Sequence, residues 1–391
     1  MVAESAREFE ALEAQAATLL EMFRRAGYEQ VAPSIIQPAD IFLDQIGEAI
    51  RGRTYVFTDL AGEELCLRPD LTVPVSRLYL ERHPLADVEA RYCYNGPAFR
   101  FQPGRASLRH PREFRQAGIE CFDVQDRDGA DVEIIRLAVE AVSSAGLRAS
   151  RLRFGDIAPF YALIEALSLP ERWRLKLRHY FWRPPAFHAL LARLAKGERP
   201  DGDGPVAALA AALGAEDPVR AEELVANYAE SKGFPLTGNR SLGEITERLL
   251  DHAADLRAEP LPKEVATVID YYLAVQAPPQ EAVDRIGMIA KGAGIDLGPA
   301  LYTLARRFER LEESGIDLST ASFATEFGRD LEYYSGIVFQ IEARQSDKAS
   351  PIAGGGRYDG LLRSLGASAE TPAVGAAIHT ERLLASVGGA S

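Results

Sequence analysis

The run HPREFRQAGIECFDV, residues 110–124, is where the fold becomes readable. From Phe114 onward its polarity has period two, so Gln116, Gly118, Glu120 and Phe122 share one face, and Arg115, Ala117, Ile119 and Cys121 share the other. That pattern predicts a strand over 114–124. A second predicted strand, Tyr92–Phe101, lies before it, and a Pro/Gly/Arg loop from Gln102 to Arg112 joins the two. Gln116 and Glu120 flank a glycine, which leaves room between them for a small polar molecule. The same three residues also suit the solvated side of a half-buried sheet.

Further outward, Tyr55–Thr58 and Leu65–Arg68 flank Asp59-Leu60-Ala61-Gly62, a hairpin signal. Phe9, Leu12, Ala16, Leu19, Leu20 and Phe23 make an apolar stripe at helical spacing that ends before Gly27. From about 159 to 310 helical runs punctuated by Gly and Pro take over. Strand signals return at Leu331–Ile341, and a glycine-rich string and a final 371–384 segment follow. Strands, a helical section, then strands again predict a single α+β domain over 1–391, built on an antiparallel sheet.

Composition narrows the class. The 391 residues carry 44 Lys+Arg against 57 Asp+Glu, a formal charge of −13, which disfavours a protein held to nucleic acid by a basic surface. Three widely spaced cysteines exclude a disulfide framework, and no cysteine or histidine spacing suggests a metal site. The N-terminal string MVAESAREFEALEAQ has charges where a signal peptide needs an apolar core, and no apolar run approaches 18 residues. A cytoplasmic protein with no membrane span is expected.

Several strings carry chemistry or a plain structural role. Gly354-Gly355-Gly356-Arg357-Tyr358-Asp359-Gly360 lacks the spacing of a phosphate loop and reads as a tight turn. Arg68-Pro69-Asp70-Leu71-Thr72 suits a helix N-terminus. Arg329-Asp330-Leu331-Glu332-Tyr333-Tyr334 offers either a cross-strand pair or hydroxyls for a ligand. Arg100, Arg105, Arg109 and Arg112 suit a solvated loop or an anion. No nucleophile–base signature occurs.

Taken in order, LRPDLT (67–72), FRFQ (99–102), HPREFRQAGIE (110–120), RDLEYYSGIVF (329–339), GGGRYDGLLRSLG (354–366) and PAVGAAIHTERL (372–383) resemble histidyl-tRNA synthetase and its paralogues of the class II synthetase fold. The resemblance implies an antiparallel sheet flanked by helices, with the helical section inserted between the motif 2 strands and the histidine-specific strands. It implies a histidine pocket. Asp70 and Thr72 would take the ammonium, Gln116 and Arg329 would face the α-amino and α-carboxylate ends, Glu120 and Tyr334 would read the imidazole, and Tyr333 would belong to the same pocket. The positions matching the ATP site are altered: Leu71 for glycine in RPEGT, Gln102 for the glutamate of FRxE, Asp330 for glycine in RGLDYY, and His379 for a small residue of motif 3. Arg100, Arg112 and Arg382 match the remaining ATP-site positions. Nine residues follow Arg382, fewer than the roughly 50 that an anticodon-binding domain requires.

These departures point to the paralogue that is the regulatory subunit of ATP phosphoribosyltransferase, without catalytic residues, cofactor or metal of its own. The resemblance implies that it dimerises and joins a short-form catalytic subunit in a hetero-octamer, with L-histidine as effector and no nucleic acid or membrane partner. The other reading is a histidyl-tRNA synthetase-like enzyme, active or degenerate, that lacks the anticodon domain.

Overall fold

The computed structural model describes residues 5–45, 52–102, 104, 111–197, 205–214, 216–232, 241–257, 259–328, 333–343 and 351–388. They form two compact units, one of residues 1–166 with 271–391 and one of residues 167–270.

A nine-stranded sheet is the centre of the first unit. In chain order its strands are β1 (Glu29–Gln30), β5 (Ala90–Phe99), β6 (Glu113–Phe122), β7 (Ser150–Asp156), β8 (Gln276–Ala277), β9 (Ser322–Ala324), β10 (Ile337–Ala343), β11 (Ala353–Arg357) and β12 (Ala373–His379). Their spatial order is β1-β5-β6-β12-β11-β10-β7-β9-β8. The six strands from β5 to β7 pair antiparallel throughout, as expected. The sheet departs from that pattern only beyond them, where β1 joins β5 and β9 joins β7 in parallel. A separate sheet of β2 (Ile36–Pro38), β3 (Tyr55–Thr58) and β4 (Glu64–Leu67) contains the expected hairpin.

Two readings change. Gly354–Arg357 is not a turn but β11, a fully buried central strand. A Cβ on Gly356 would press on the Ile337 carbonyl oxygen and lie 3.0 Å from the Tyr334 ring, so glycine lets neighbouring groups close over the strand. The face of β6 that carries Gln116 and Glu120 is not solvated either, because the strand is buried on both faces from Gln116 to Phe122.

The first helix, Ala6–Arg25, opens with a capping box in which Ser5 and Glu8 bond reciprocally, and it buries Leu12, Leu19 and Phe23. Each such side chain contributes about 1.5–3 kcal/mol through burial. The helix Arg127–Ser144 packs on β11 and β12. Between β7 and β9 the described segments are mostly helical, and the helices Pro279–Gly292 and Gly298–Glu313 belong to the sheet unit. The second unit is helical and packs Ala210, Leu213, Ala221, Val225, Leu249 and Ala253 together. All three cysteines are buried and free. Among the described residues no helix is long and apolar enough to cross a membrane.

Candidate functional site

The site grows from β6. Glu120 has no exposed surface, and the register sets Gly375 of β12 directly opposite it on one side and Tyr92 of β5 on the other. Its side chain leans across Gly375, where any Cβ would fall on the carboxylate. Gly118, two residues earlier on the same face, leaves space for the hydroxyl end of Tyr94 in the same manner.

Three hydroxyls meet the carboxylate. Thr72 and Tyr94 donate to Oε1 at 2.7 and 2.9 Å, and Tyr358 donates to Oε2. Thr72 comes from the first turn of the helix Thr72–Arg82, Tyr94 from β5 and Tyr358 from just after β11, so with β6 the site joins four segments of the chain. A carboxylate has about four acceptor directions. Among the described residues three are taken, which leaves one at Oε2 for a further N–H or O–H donor.

Burial is the main cause that pushes the Glu120 carboxyl up to about 7; the hydroxyls of Tyr358, Thr72 and Tyr94 pull it down, and the nearby charge of Asp70 pushes it further up. The Tyr94 and Tyr358 phenols are driven well above their ordinary value by burial and by Glu120, so they act as donors. A carboxyl whose folded pKa exceeds its unfolded value stabilises the fold fully at low pH and loses that contribution as pH rises to the folded pKa. The unfolding transition of the protein is therefore expected to weaken between about pH 4.5 and 7 by on the order of 3 kcal/mol through Glu120. Glu120→Gln should flatten that slope. A pH series of melting curves checks this, and an equal slope in both proteins would place the titration elsewhere.

Of the residues expected from the sequence, Thr72 and Glu120 are in direct contact. Asp70 is buried, acts electrostatically on Glu120, and accepts the Val73 N–H at 3.2 Å, so it also fills the helix-terminus role. Gln116 is 4 % exposed and sits opposite Gly96 and His379, with its Oε1 buried and unbonded. The Tyr333 ring lies 4.9 Å from Tyr334 and 5.7 Å, edge-on, from Tyr358. Arg329 lies outside the described residues, as do Asp330, Arg105 and Arg109.

The positions matching an ATP site are engaged by a neighbouring ring and by backbone carbonyls. His379 stacks on Phe114 at 4.5 Å, the Arg100 guanidinium lies 5.1 Å from the same ring, and Phe114 is 3 % exposed. That ring offers no open face. Arg100 also bonds the Pro69 carbonyl at 2.9 Å. Arg112 donates to the Gln102 and Gly104 carbonyls, Gln102 to that of Pro111, and Arg382 to that of Pro351.

Sequence reasoning missed Tyr94 and the role of Tyr358. Tyr94 lies opposite Gly118. A tyrosine across from a glycine signals only once the register is known. Tyr358 stood inside the string read as a turn. Among the described residues the site gathers buried acceptors from Asp70, Gln116 and Glu120 and a set of tyrosine rings. Such a lining suits a small amine-bearing, aromatic-ring ligand.

The chain matches the histidyl-tRNA synthetase family over residues 4–226 and 247–383. It is 35% identical to the ATP phosphoribosyltransferase regulatory subunit of Mesorhizobium japonicum over 372 residues, 94% of this chain and 96% of the relative. It is also 35% identical to the protein of that name in Agrobacterium fabrum, over 95% of this chain and 96% of the relative. Among solved structures, an ATP phosphoribosyltransferase regulatory subunit/histidyl-tRNA synthetase from Bacillus halodurans has a TM-score of 0.65 at 19% identity, covering 99% of this chain and 82% of that one. A histidine–tRNA ligase subunit from Alicyclobacillus acidocaldarius has a TM-score of 0.61 at 24% identity, covering 100% and 96%. The fold is that of the class II synthetases.

Proposed function

Because the chain belongs to the histidyl-tRNA synthetase family and, within it, to the ATP phosphoribosyltransferase regulatory subunits, we propose that it activates a short-form catalytic chain of that enzyme and relays feedback inhibition by L-histidine. In this reading the chain is non-catalytic by itself and dimerises within a cytoplasmic hetero-octamer. L-histidine is the ligand of the Glu120 pocket. The observation that carries the reading is a contrast between two regions: Gln116, with its Oε1 buried and unbonded, shares a strand face with the Glu120 carboxylate, while His379 and Arg100, two positions matching an ATP site, are taken up against the Phe114 ring.

The pocket's chemistry supports this choice of ligand. Asp70 and Gln116 offer acceptors to an ammonium, and the one open direction on Glu120 suits a single imidazole N–H. Feedback then requires histidine to bind the inhibited assembly more tightly than the active one, typically by about 1–3 kcal/mol.

Addition of the purified chain to a short-form phosphoribosyltransferase is expected to raise its turnover about tenfold or more and to make it histidine-sensitive. The same preparation should give no histidine-dependent ATP–pyrophosphate exchange. Unchanged turnover, or robust exchange, would sink the proposal; the latter would favour the synthetase-like enzyme.

A further inference from the structure

Tyr358 reaches Glu120 from a segment held by charged groups that bond none of the hydroxyls on that carboxylate. Arg357, directly before it, donates from Nη1 to Asp359 Oδ1 and from Nη2 to the Arg127 carbonyl oxygen, both at 2.8 Å. Its Nη2 also pairs with Asp131 Oδ1 at 2.7 Å. Asp359, directly after Tyr358, accepts the Ala373 N–H at 2.9 Å and donates its own N–H to Ser335 Oγ at 2.9 Å. The Ser335 N–H in turn donates to the Arg357 carbonyl at 2.8 Å. The Arg357 side chain also lies against Gly336, where a Cβ would meet it at 3.3 Å. One guanidinium thus ties together the two neighbours of Tyr358, and the backbone of those neighbours holds Ser335, which follows Tyr334.

Arg357 is itself fixed by Asp131, a helix residue with no exposed surface whose second oxygen faces Arg307 Nε at 2.9 Å. An uncompensated carboxylate or guanidinium cannot be left at this depth, so moving either partner moves the other. The tyrosine ring adds a lever, since a small rotation of the segment displaces the hydroxyl from Glu120.

We propose that Asp131, acting through Arg357, is a positioning residue for the pocket, which sets where Tyr358 holds Glu120 and thereby the affinity for the pocket's ligand. The ligand part of this inference rests on the histidine reading above; the placement of Tyr358 does not.

The comparison is between Asp131→Asn, Arg357→Lys and the control Asp156→Asn. Asp156 shares Arg307, at 2.8 Å, but makes no bond to Arg357. Two quantities are measured in the full chain: L-histidine affinity by calorimetry, and the ring 13Cζ resonance of Tyr358, assigned by its loss in Tyr358→Phe. Asp131→Asn and Arg357→Lys should each weaken histidine about tenfold and shift that resonance. Asp156→Asn should lower the melting temperature yet leave both within about twofold and unshifted. The inference is overturned if the control moves both readouts as far, or if Asp131→Asn moves neither. Should the unaltered chain bind no histidine, the pocket reading falls, and the Tyr358 resonance alone decides the positioning role. Should Asp131→Asn fail to fold, Arg357→Lys decides it.

Discussion

Gly375→Ala is expected to abolish ligand binding at the Glu120 pocket, with a loss of affinity of about a hundredfold or more. A Cβ built on Gly375 falls on the Glu120 carboxylate, 2.5 Å from Cδ, and lies 2.8 Å from the Ile119 carbonyl oxygen. The carbonyl belongs to the β6 backbone, paired across to Ala376, and has nowhere to go. The carboxylate must therefore leave, and in leaving it abandons Thr72, Tyr94 and Tyr358. Three buried hydroxyls then lose their acceptor, each worth about 1–3 kcal/mol when unsatisfied, on top of an overpacking strain of about 1–3 kcal/mol. The sum rivals the whole stability of an ordinary domain, so Tm is measured beside affinity.

Gly292→Ala is the matched control. Gly292 ends a helix, and a Cβ there meets nothing within 4 Å. It should leave affinity unchanged and stability the same or slightly higher. Retention of ligand affinity within about threefold in Gly375→Ala would mean that the carboxylate is not the recognising group.

How much of this was legible before the coordinates depends on the range of each interaction. The alternation over 114–122 placed Gln116, Gly118 and Glu120 together, because a strand's period is local. Burial of that face was not legible, because it depends on helices and strands from elsewhere in the chain. The three glycines of β11 misled for a related reason. Taken alone they permit a turn, whereas in the sheet Gly355 answers to Gly375, and Gly356 to Ile337 and Tyr334, residues remote from them or on another strand. Asp70 takes the helix-terminus bond that its string suggested, and its charge acts on Glu120 as well. The resemblance to synthetases singled out Thr72 and Glu120 for opposite ends of a ligand and not for each other, and neither it nor the pattern pointed to Tyr94, which needs the β5–β6 register. Least legible was the ion network, since Asp131 and Arg307 occupy helices where charges are ordinarily solvated.

That network sets the second large effect: Arg307→Met should destabilise the chain by about 3–5 kcal/mol. Arg307 is buried and faces Asp128 at 3.0 Å, Asp131 at 2.9 Å and Asp156 at 2.8 Å. Methionine fills much of the volume but supplies no countercharge. Burial already raises the Asp131 and Asp156 carboxyls, and Arg307 is the leading influence that lowers both. Its removal sends them higher, so the folded variant holds protons that the unfolded chain releases. Carboxyls raised in this sense lose stabilising power as pH climbs. The deficit relative to the unaltered chain should accordingly be smallest near about pH 5 and largest near about pH 8. Arg310→Ala serves as the contrast, because its partner Asp126 is largely solvent-facing at 2.9 Å. Exposed pairs of that kind contribute about 0–1 kcal/mol. Denaturant melts of both variants at the two pH values decide the matter. If Arg307→Met is as mild as Arg310→Ala, or its deficit shrinks as pH rises, the network does not carry buried charge as described.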